Sequence, residues 1–153
     1  GINWRILTVF DIRIERLLNK DINTVFERLA DHAGYTQYKG IQDAKLLEPG
    51  SDEPNGLGAL RYVDLGSVNF DERITAFERP YRMDYLIERS SPLPFRHEVG
   101  SIKLKQEGEG TRVIWESKGT ITVPVIGKLV FDRVFQKKGS VGFASLLKQI
   151  EGS

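Results

Sequence analysis

The chain has 153 residues, of which 40% are hydrophobic and 28% charged, a composition typical of a soluble globular protein of one domain. Lysine and arginine number 22 against 21 aspartates and glutamates, so a net charge of +1 gives no electrostatic case for binding nucleic acid or an anionic membrane. The absence of cysteine excludes disulfides, thiolate catalysis and the usual zinc frameworks. No apolar run approaches the ~20 residues needed to span a bilayer, and no signal-peptide pattern opens the chain, so we expect a cytoplasmic location.

The first part of the sequence predicts a strand, two short helices and a second strand. Residues 10–15 alternate apolar and charged side chains, as in a strand buried on one face. Asp21 or Asn23 can cap a short helix, and a second short helical turn is expected near Tyr35–Tyr38. Ile41–Glu48 is then predicted as a strand that ends in a loop rich in proline and glycine.

A meander of five strands follows, because the alternating segments are joined by very short turns. Short connections make consecutive strands antiparallel neighbours in a sheet. The predicted strands are Ala59–Leu65, Val68–Glu78, Tyr81–Arg89, Arg96–Lys105 and Thr111–Ile121.

The last predicted element is a helix from about Ile126 to Ile150. Its apolar residues change sides near Gly139–Gly142, where two glycines weaken the helix. Either the helix bends there, or its first half exposes an apolar patch that would suggest a homodimer or a partner contact. The residues of that patch are Val130, Phe131, Val134 and Phe135.

The turn at Gly66-Ser67 fixes a register that places charged side chains on the inner face of the sheet. A two-residue loop sets Val63 opposite Phe70, and therefore Arg61 opposite Glu72. A fully packed core rarely accepts two charged residues on its face, whereas the wall of a cavity often does. The pattern therefore predicts a protein that encloses a ligand.

Carrying this register across the later turns predicts two rows of side chains on the inner face. The first row is Arg61, Glu72, Ile87, Glu98 and Gly119, and the second is Ala59, Ile74, Tyr85, Gly100 and Ser117. Arg89 and Arg96 would face each other at the mouth of the cavity, while His97 would point to the outer face. A single β-bulge would move any of these side chains to the other face.

Several short segments, in this order along the chain, resemble the START-like, or SRPBCC, superfamily. They are Asp21–Asp31, Gly56–Gly58, Glu72–Ile74, Pro80–Arg82, Gly100–Leu104, Gly110–Trp115 and Leu146–Glu151. Within that superfamily, the chain is most similar to the polyketide cyclase/dehydrase and lipid-transport group. The resemblance implies one START-like ligand-binding domain over residues 1–153 with an α+β helix-grip fold. In that fold a curved antiparallel sheet wraps around a long C-terminal helix, with two short helices after the first strand and a ligand cavity inside.

The inner-face rows give the candidate ligand-binding residues. They are Arg61, Phe70, Glu72, Ile74, Tyr85, Ile87, Arg89, Arg96, Glu98, Ile102 and Trp115. Arg61 with Glu72 is either a structural ion pair or part of a site. Arg89 with Arg96 is either solvated or an anion clamp. Glu98, if buried, would have a raised pKa and could donate a proton, but it could also lie on the surface after a bulge.

Three functions fit these residues. The first is a non-catalytic carrier of a small apolar or amphipathic molecule, with an oxygen-rich head such as a carboxylate at the arginines. The second is a cyclase or dehydratase in which Glu72 or Glu98 is the acid or base and Arg61 holds an enolate oxygen. The third is an interaction module that uses the last helix. Neither histidine lies in a metal or triad pattern and no dinucleotide or phosphate-loop motif occurs, so no cofactor is expected.

Overall fold

The computed structural model describes residues 5–124 and 128–153, and side chains within residues 9–121 and 137–153. In these ranges the chain forms strands β1 (Arg5–Leu18), β2 (Asp43–Glu48), β3 (Leu60–Asp64), β4 (Asn69–Glu78), β5 (Arg82–Ser91), β6 (Phe95–Glu107) and β7 (Gly110–Pro124). The helices are α1 (Ile22–Ala30), a 3₁₀ helix (His32–Gln37) and α2 (Lys128–Glu151). Every predicted element is present, with bounds that differ by a few residues.

The strands form one antiparallel sheet in the order β1-β7-β6-β5-β4-β3-β2. Helix α2 packs against β1 and β7, and α1 contacts both α2 and the sheet. The curved sheet around the C-terminal helix is the predicted α+β helix-grip fold, which is confirmed. No helix in the described part of the chain has the length and apolarity needed to cross a membrane.

The core lies between the concave face of the sheet and the helices. Helix α1 begins after Asp21, whose carboxylate accepts the Asn23 amide at 2.9 Å, so Asp21 is the N-cap. The buried residues of α1 include Val25, Phe26 and Leu29, as its pattern predicts. Each fully buried side chain of this size contributes roughly 1.5–3 kcal/mol. Other buried core residues are Phe10, Ile12, Ile74, Met83, Ile102, Val113, Ile121, Leu146, Leu147 and Ile150.

The turn between β3 and β4 sets the register that the sequence predicts. Gly66 has φ 92°, a conformation that favours glycine, and its amide donates to Asp64 Oδ1 at 2.8 Å. Arg61 pairs with Glu72, and Val63 pairs with Phe70. The predicted pairing of β6 with β7, in which Ile102 lies opposite Trp115 and Gly100 opposite Ser117, is also confirmed.

Near the turn between β4 and β5 the register differs from the predicted one by one residue, and a bulge in β4 then restores it. The turn closes with Tyr81 N–H donating to the Glu78 carbonyl, so Glu78 pairs with Arg82 and Met83 lies opposite Phe77. The predicted pairing of Ala76 with Met83 is therefore wrong. A bulge at Thr75 then restores the predicted pairs of Ile74 with Tyr85 and of Glu72 with Ile87.

Two further bulges reverse the facing of side chains at the open end of the sheet. On β5 the ladder passes from Ile87 to Arg89, so Glu88 is the extra residue. On β6 the ladder passes from His97 to Val99, so Glu98 is the extra residue. Because each bulge shifts the alternation by one residue, side chains beyond it point to the face opposite the predicted one.

Helix α2 is continuous from Lys128 to Glu151. Gly139 lies so close to β1 that a Cβ atom there would stand 2.4 Å from Ile12 Cδ1, whereas a Cβ at Gly142 would meet no atom within 4 Å. The first of the two glycines therefore permits close packing of the helix on the sheet. The predicted apolar patch of the first half of α2 lies outside the described side chains, so it stays a prediction.

Candidate functional site

Arg61 and Glu72 lie side by side on the concave face and form an ion pair. Arg61 Nη2 is 3.4 Å from Glu72 Oε1, and the two side chains are 3% and 13% exposed. The predicted pairing of the two residues is thus confirmed. A role for either residue in binding a ligand stays a prediction.

The guanidinium of Arg61 has further partners that partly compensate for its burial. Nη1 lies 3.5 Å from the Leu29 carbonyl oxygen and 3.8 Å from the Met83 sulfur. The charged group also lies 5.4 Å from the centroid of the Tyr35 ring. Among the described residues Arg61 Nε has no hydrogen-bond partner, so one buried donor is unused.

Burial raises the pKa of the Glu72 carboxyl above its usual value, although the charge of Arg61 and its hydrogen bond lower it. A carboxyl in this position can exchange a proton more readily near neutral pH than an exposed one. Glu72 is also partly accessible, whereas Arg61 beside it is almost fully buried. Glu72 is therefore the more accessible member of the pair.

A second polar group lies on the same face, centred on His97. The Ile87 amide donates to His97 Nδ1 at 3.0 Å, and His97 Nε2 lies 2.9 Å from Ser117 Oγ. Tyr85 lies on the same face, and its hydroxyl accepts the Trp115 Nε1–H at 2.9 Å. Burial raises the pKa of Tyr85, and the negative charge of Glu72 raises it further.

The imidazole of His97 fits a notch between two glycines. A Cβ at Gly100 would stand 2.7 Å from His97 Cε1, and a Cβ at Gly119 would stand 3.1 Å from His97 Cα. The ring stacks between Tyr85, at a centroid distance of 5.4 Å, and Phe10, at 6.4 Å. This burial lowers the pKa of His97 to about 4, so the side chain is neutral at pH 7.

Apolar side chains form the rest of the concave face. Phe70, Ile74, Ile102 and Trp115 are all buried there, and Ile87 is half-buried. The Trp115 indole stacks on Phe143 of α2, with ring centroids 4.1 Å apart. These residues were predicted as ligand-binding residues, and the structure brings them together with the two polar groups.

Three predicted site residues lie elsewhere. Arg89, beyond the bulge on β5, pairs with Asp71 at 2.8 Å and lies 6.0 Å from the Tyr62 ring on the outer face. Arg96 is exposed and pairs in the ladder with Thr120, and Glu98 is exposed at the bulge itself. The predicted anion clamp and the inward-facing Glu98 are therefore wrong, because two bulges invert the alternation.

Two polar residues of the site were not identified from the sequence as ligand contacts. His97 was predicted to face outward, and Ser117 was placed in an inner row without a role. The signal that could have identified His97 was the presence of a glycine in each of the two inner rows, Gly119 in the first and Gly100 in the second, since inward-facing glycines on neighbouring strands leave space for a ring.

The described residues include no group of three or more histidine, aspartate or glutamate side chains that could hold a metal ion. His97 has both ring nitrogens engaged by the protein. His32 lies in the core, with Nε2 at 2.5 Å from the Tyr62 carbonyl oxygen, and burial lowers its pKa to about 3. The chemistry that the site offers is thus proton exchange at Glu72 and hydrogen bonding by neutral donors.

The architecture is shared with solved structures of low sequence identity. The protein TTHA0849 from Thermus thermophilus aligns with a TM-score of 0.76 and 23% identity over 93% of this chain and 94% of its own. A START superfamily protein from Mycobacterium smegmatis has a TM-score of 0.72 and 13% identity over 93% and 94% of the two chains. The Zhui aromatase/cyclase from Streptomyces sp. R1128 has a TM-score of 0.69 and 15% identity over 94% of both.

The comparison with curated protein sequences found no match. By contrast, the model of the family described as "Polyketide cyclase / dehydrase and lipid transport" matches residues 10–149. This match covers the meander, α1 and nearly all of α2. The chain therefore belongs to the polyketide cyclase/dehydrase and lipid transport family.

Proposed function

We propose that this protein binds and carries a small, largely apolar molecule in a cavity between the sheet and α2. The observation that supports this function is the mixed character of the concave face. Aromatic and aliphatic side chains surround two polar groups, the Arg61–Glu72 ion pair and the hydrogen-bonded His97 and Ser117. Binding sites for small molecules commonly combine an apolar lining with a few placed polar groups.

In this arrangement the apolar and polar side chains contribute differently to the binding free energy. Apolar surface removed from water supplies the main driving force, at ~25 cal/mol per Å². The polar groups orient the molecule. A ligand pose that buries them without offering hydrogen-bond partners leaves their desolvation cost uncompensated, and that pose is therefore disfavoured. Most of these polar groups already have protein partners, so the site needs little rearrangement before binding.

Native mass spectrometry of the purified protein, before and after organic extraction, tests the function. We expect a non-covalent adduct that disappears on extraction, and its chemical identity would name the ligand. The Ile87→Trp variant fills the concave side of β5 and should prevent the adduct. Leu86→Trp is the matched control, because it adds the same bulk to the next residue, which points to the opposite face of the strand.

Two results would refute a carrier role. One is the absence of any adduct together with the absence of binding by apolar probe molecules. The other is an adduct that both tryptophan variants retain equally, which would place the bound molecule outside the concave face.

A second candidate function is catalysis of a cyclisation or dehydration, and one observation favours it. The buried Glu72 carboxyl has a raised pKa and lies beside Arg61, whose Nε is an unused donor among the described residues. Such chemistry needs a carboxylate that accepts a carbon-bound proton. It also needs a nearby donor that stabilises the resulting enolate oxygen.

Exchange of the α-protons of 1-tetralone in D₂O, followed by NMR, tests this second function. Acceleration by the wild type and its loss in Glu72→Gln would support catalysis, whereas no acceleration would refute this chemistry for that ketone.

A further inference from the structure

The Glu72 carboxylate has more hydrogen-bonding capacity than the described residues use. A carboxylate has two oxygens that together offer about four lone-pair positions. Its one hydrogen bond from the described residues comes from Arg61 Nη2 to Oε1, at 3.4 Å. This bond is longer than the ~2.7–2.9 Å of a tight charge-assisted bond, and Arg61 Nη1 lies near the Leu29 carbonyl oxygen and the Met83 sulfur instead. The second carboxylate oxygen, Oε2, therefore has no partner among the described residues.

The unused oxygen of Glu72 is not sealed inside the core. In the described part of the chain, the buried side-chain atoms that lack a hydrogen bond include Arg61 Nε but neither oxygen of Glu72. The Glu72 side chain is 13% exposed, against 3% for Arg61. The pair thus presents an anionic acceptor at its accessible side and keeps its cationic member covered.

Apolar side chains flank this acceptor on the concave face. Phe70 and Ile74 lie two residues before and after Glu72 on β4, so all three point to the same face of the sheet, and both apolar residues are buried. Ile87, which pairs with Glu72 across β5, is half-buried. A molecule that covers these side chains brings its own polar group to a carboxylate oxygen, which can only accept a hydrogen bond.

The charge balance of the pair favours a neutral donor over a cation. Arg61 already compensates the charge of Glu72, so a ligand ammonium in the same place would add an unmatched positive charge beside the guanidinium. A hydroxyl group can donate a charge-assisted hydrogen bond to Glu72 without changing the net charge of the site. A ligand ether or ester of the same shape offers no donor and would leave the carboxylate desolvated and unpaired.

We propose that Glu72 accepts a hydrogen bond from a hydroxyl group of the bound molecule, which is therefore an apolar alcohol or phenol. This assignment rests on the proposed carrier function and names the chemical class of its ligand. Glu72 then determines specificity, because it separates hydroxylated molecules from their ethers and esters.

The test compares 2-naphthol with 2-methoxynaphthalene at pH 7, two neutral probes with the same rings, of which only the first can donate a hydrogen bond. Calorimetry gives the ratio of their dissociation constants in each protein, and a change of this ratio between proteins cancels the difference in size and hydration between the probes. In Arg61→Met/Glu72→Leu, which removes the acceptor and leaves no unpaired charge, the preference for 2-naphthol should fall by at least ~10-fold, the lower end for a hydrogen bond to a charged group. Glu72→Gln keeps an uncharged acceptor and should lower the preference less, and it decides the matter if the double variant does not fold.

Glu98→Leu is the matched control, because Glu98 is an exposed glutamate at the bulge of β6, and this change should leave the preference as it is in wild type. If both probes bind and their ratio is the same in wild type and in the Glu72 variants, the hydroxyl assignment is overturned while the carrier function stands. Tighter binding of 2-naphthylmethylamine, a cation at pH 7, than of 2-naphthol would also overturn it. If neither probe binds and mass spectrometry finds no adduct, both the assignment and the carrier function fail.

Discussion

Replacing one member of the buried Arg61–Glu72 pair should cost far more stability than replacing both. In Glu72→Leu the guanidinium stays buried near the Leu29 carbonyl, the Met83 sulfur and the Tyr35 ring, none of which carries a negative charge. Arginine cannot lose its proton in a protein, so the charge is retained in the core. An uncompensated buried charge of this kind costs about 3–5 kcal/mol, and the cost should not change between pH 5 and pH 7.

Arg61→Met should behave differently, because the remaining carboxyl can take up a proton. The ordinary pKa of a glutamate carboxyl, 4.5, applies in the unfolded chain, and burial raises the pKa of Glu72 in the folded state. The folded state therefore binds more protons above pH 4.5, so stability is greatest at low pH and decreases as pH rises. At pH 7 the electrostatic part of the destabilisation cannot exceed ~3.4 kcal/mol. This is the free energy needed to keep the Glu72 carboxyl protonated about 2.5 pH units above its unfolded-state pKa.

Urea denaturation of both single variants and of Arg61→Met/Glu72→Leu, at pH 5 and pH 7, measures these effects. The double variant should unfold within about 1 kcal/mol of the wild type, since matched apolar replacements of a buried pair are often neutral. The solvent-accessible pair Arg112–Glu107, at 34% and 36% exposure, is the control, and Arg112→Met and Glu107→Leu should each change the stability far less than the single changes at Arg61 and Glu72. Small, additive effects at Arg61 and Glu72 would show that these side chains are hydrated and would refute the reasoning.

Four further outcomes follow from the structure. Burial lowers the pKa of His97 to about 4, so between about pH 6.5 and 4 the unfolded state binds more protons and the stability should fall as the pH falls. His97→Gln should reduce the number of protons taken up on unfolding by up to one proton per molecule. Arg79 pairs with Glu27 and Glu53, and its guanidinium lies over the Phe26 and Phe77 rings. Arg79→Ala should therefore lower the free energy of unfolding by about 1–2 kcal/mol in thermal unfolding, and Arg79→Lys should not recover this loss. Full recovery with lysine would contradict a role for the planar guanidinium. Gly142→Ala should stabilise by ~0.5–1 kcal/mol, whereas Gly139→Ala should stabilise less, because its Cβ would displace the Ile12 Cδ1 methyl, and equal effects would contradict the close packing of α2 on β1. By calorimetry, methyl fluorene-9-carboxylate should bind more tightly than fluorene-9-carboxylate, since the concave-face charges of the described residues cancel; tighter binding of the anion would contradict this charge balance.

The parts of the fold that the sequence predicts depend on short-range chemistry. Short turns fix which strands pair, and the turn at Gly66 predicts Arg61 opposite Glu72 from the residues of β3 and β4 alone. The N-cap at Asp21 and the apolar face of α1 follow from equally local patterns. These features needed only alternation, turn geometry and capping.

The bulges could not be predicted in this way, because their position depends on which side chain the folded sheet can bury. At residues 97 and 98 the alternatives were an inward glutamate without a partner or an inward histidine that engages Ile87 and Ser117. Burying an unpaired carboxylate costs several kcal/mol, whereas a neutral imidazole with both nitrogens bonded does not. The position of the bulge in β6 therefore depends on contacts between β5, β6 and β7, which are far apart in the sequence.

The two bulges together determine which chemistry the concave face presents. Without them, Glu98, Arg89 and Arg96 would point inward and the site would suit an ion. With them, these charges lie outside, and the inward polar groups are a matched ion pair and the neutral, hydrogen-bonded side chains of His97, Ser117 and Tyr85. A carboxylate buried in such a site would find no net positive charge to compensate for its desolvation, whereas a neutral oxygen has a smaller desolvation cost. The fold is thus compatible with many ligands, and it is the placement of two extra residues in the strands that favours a neutral one.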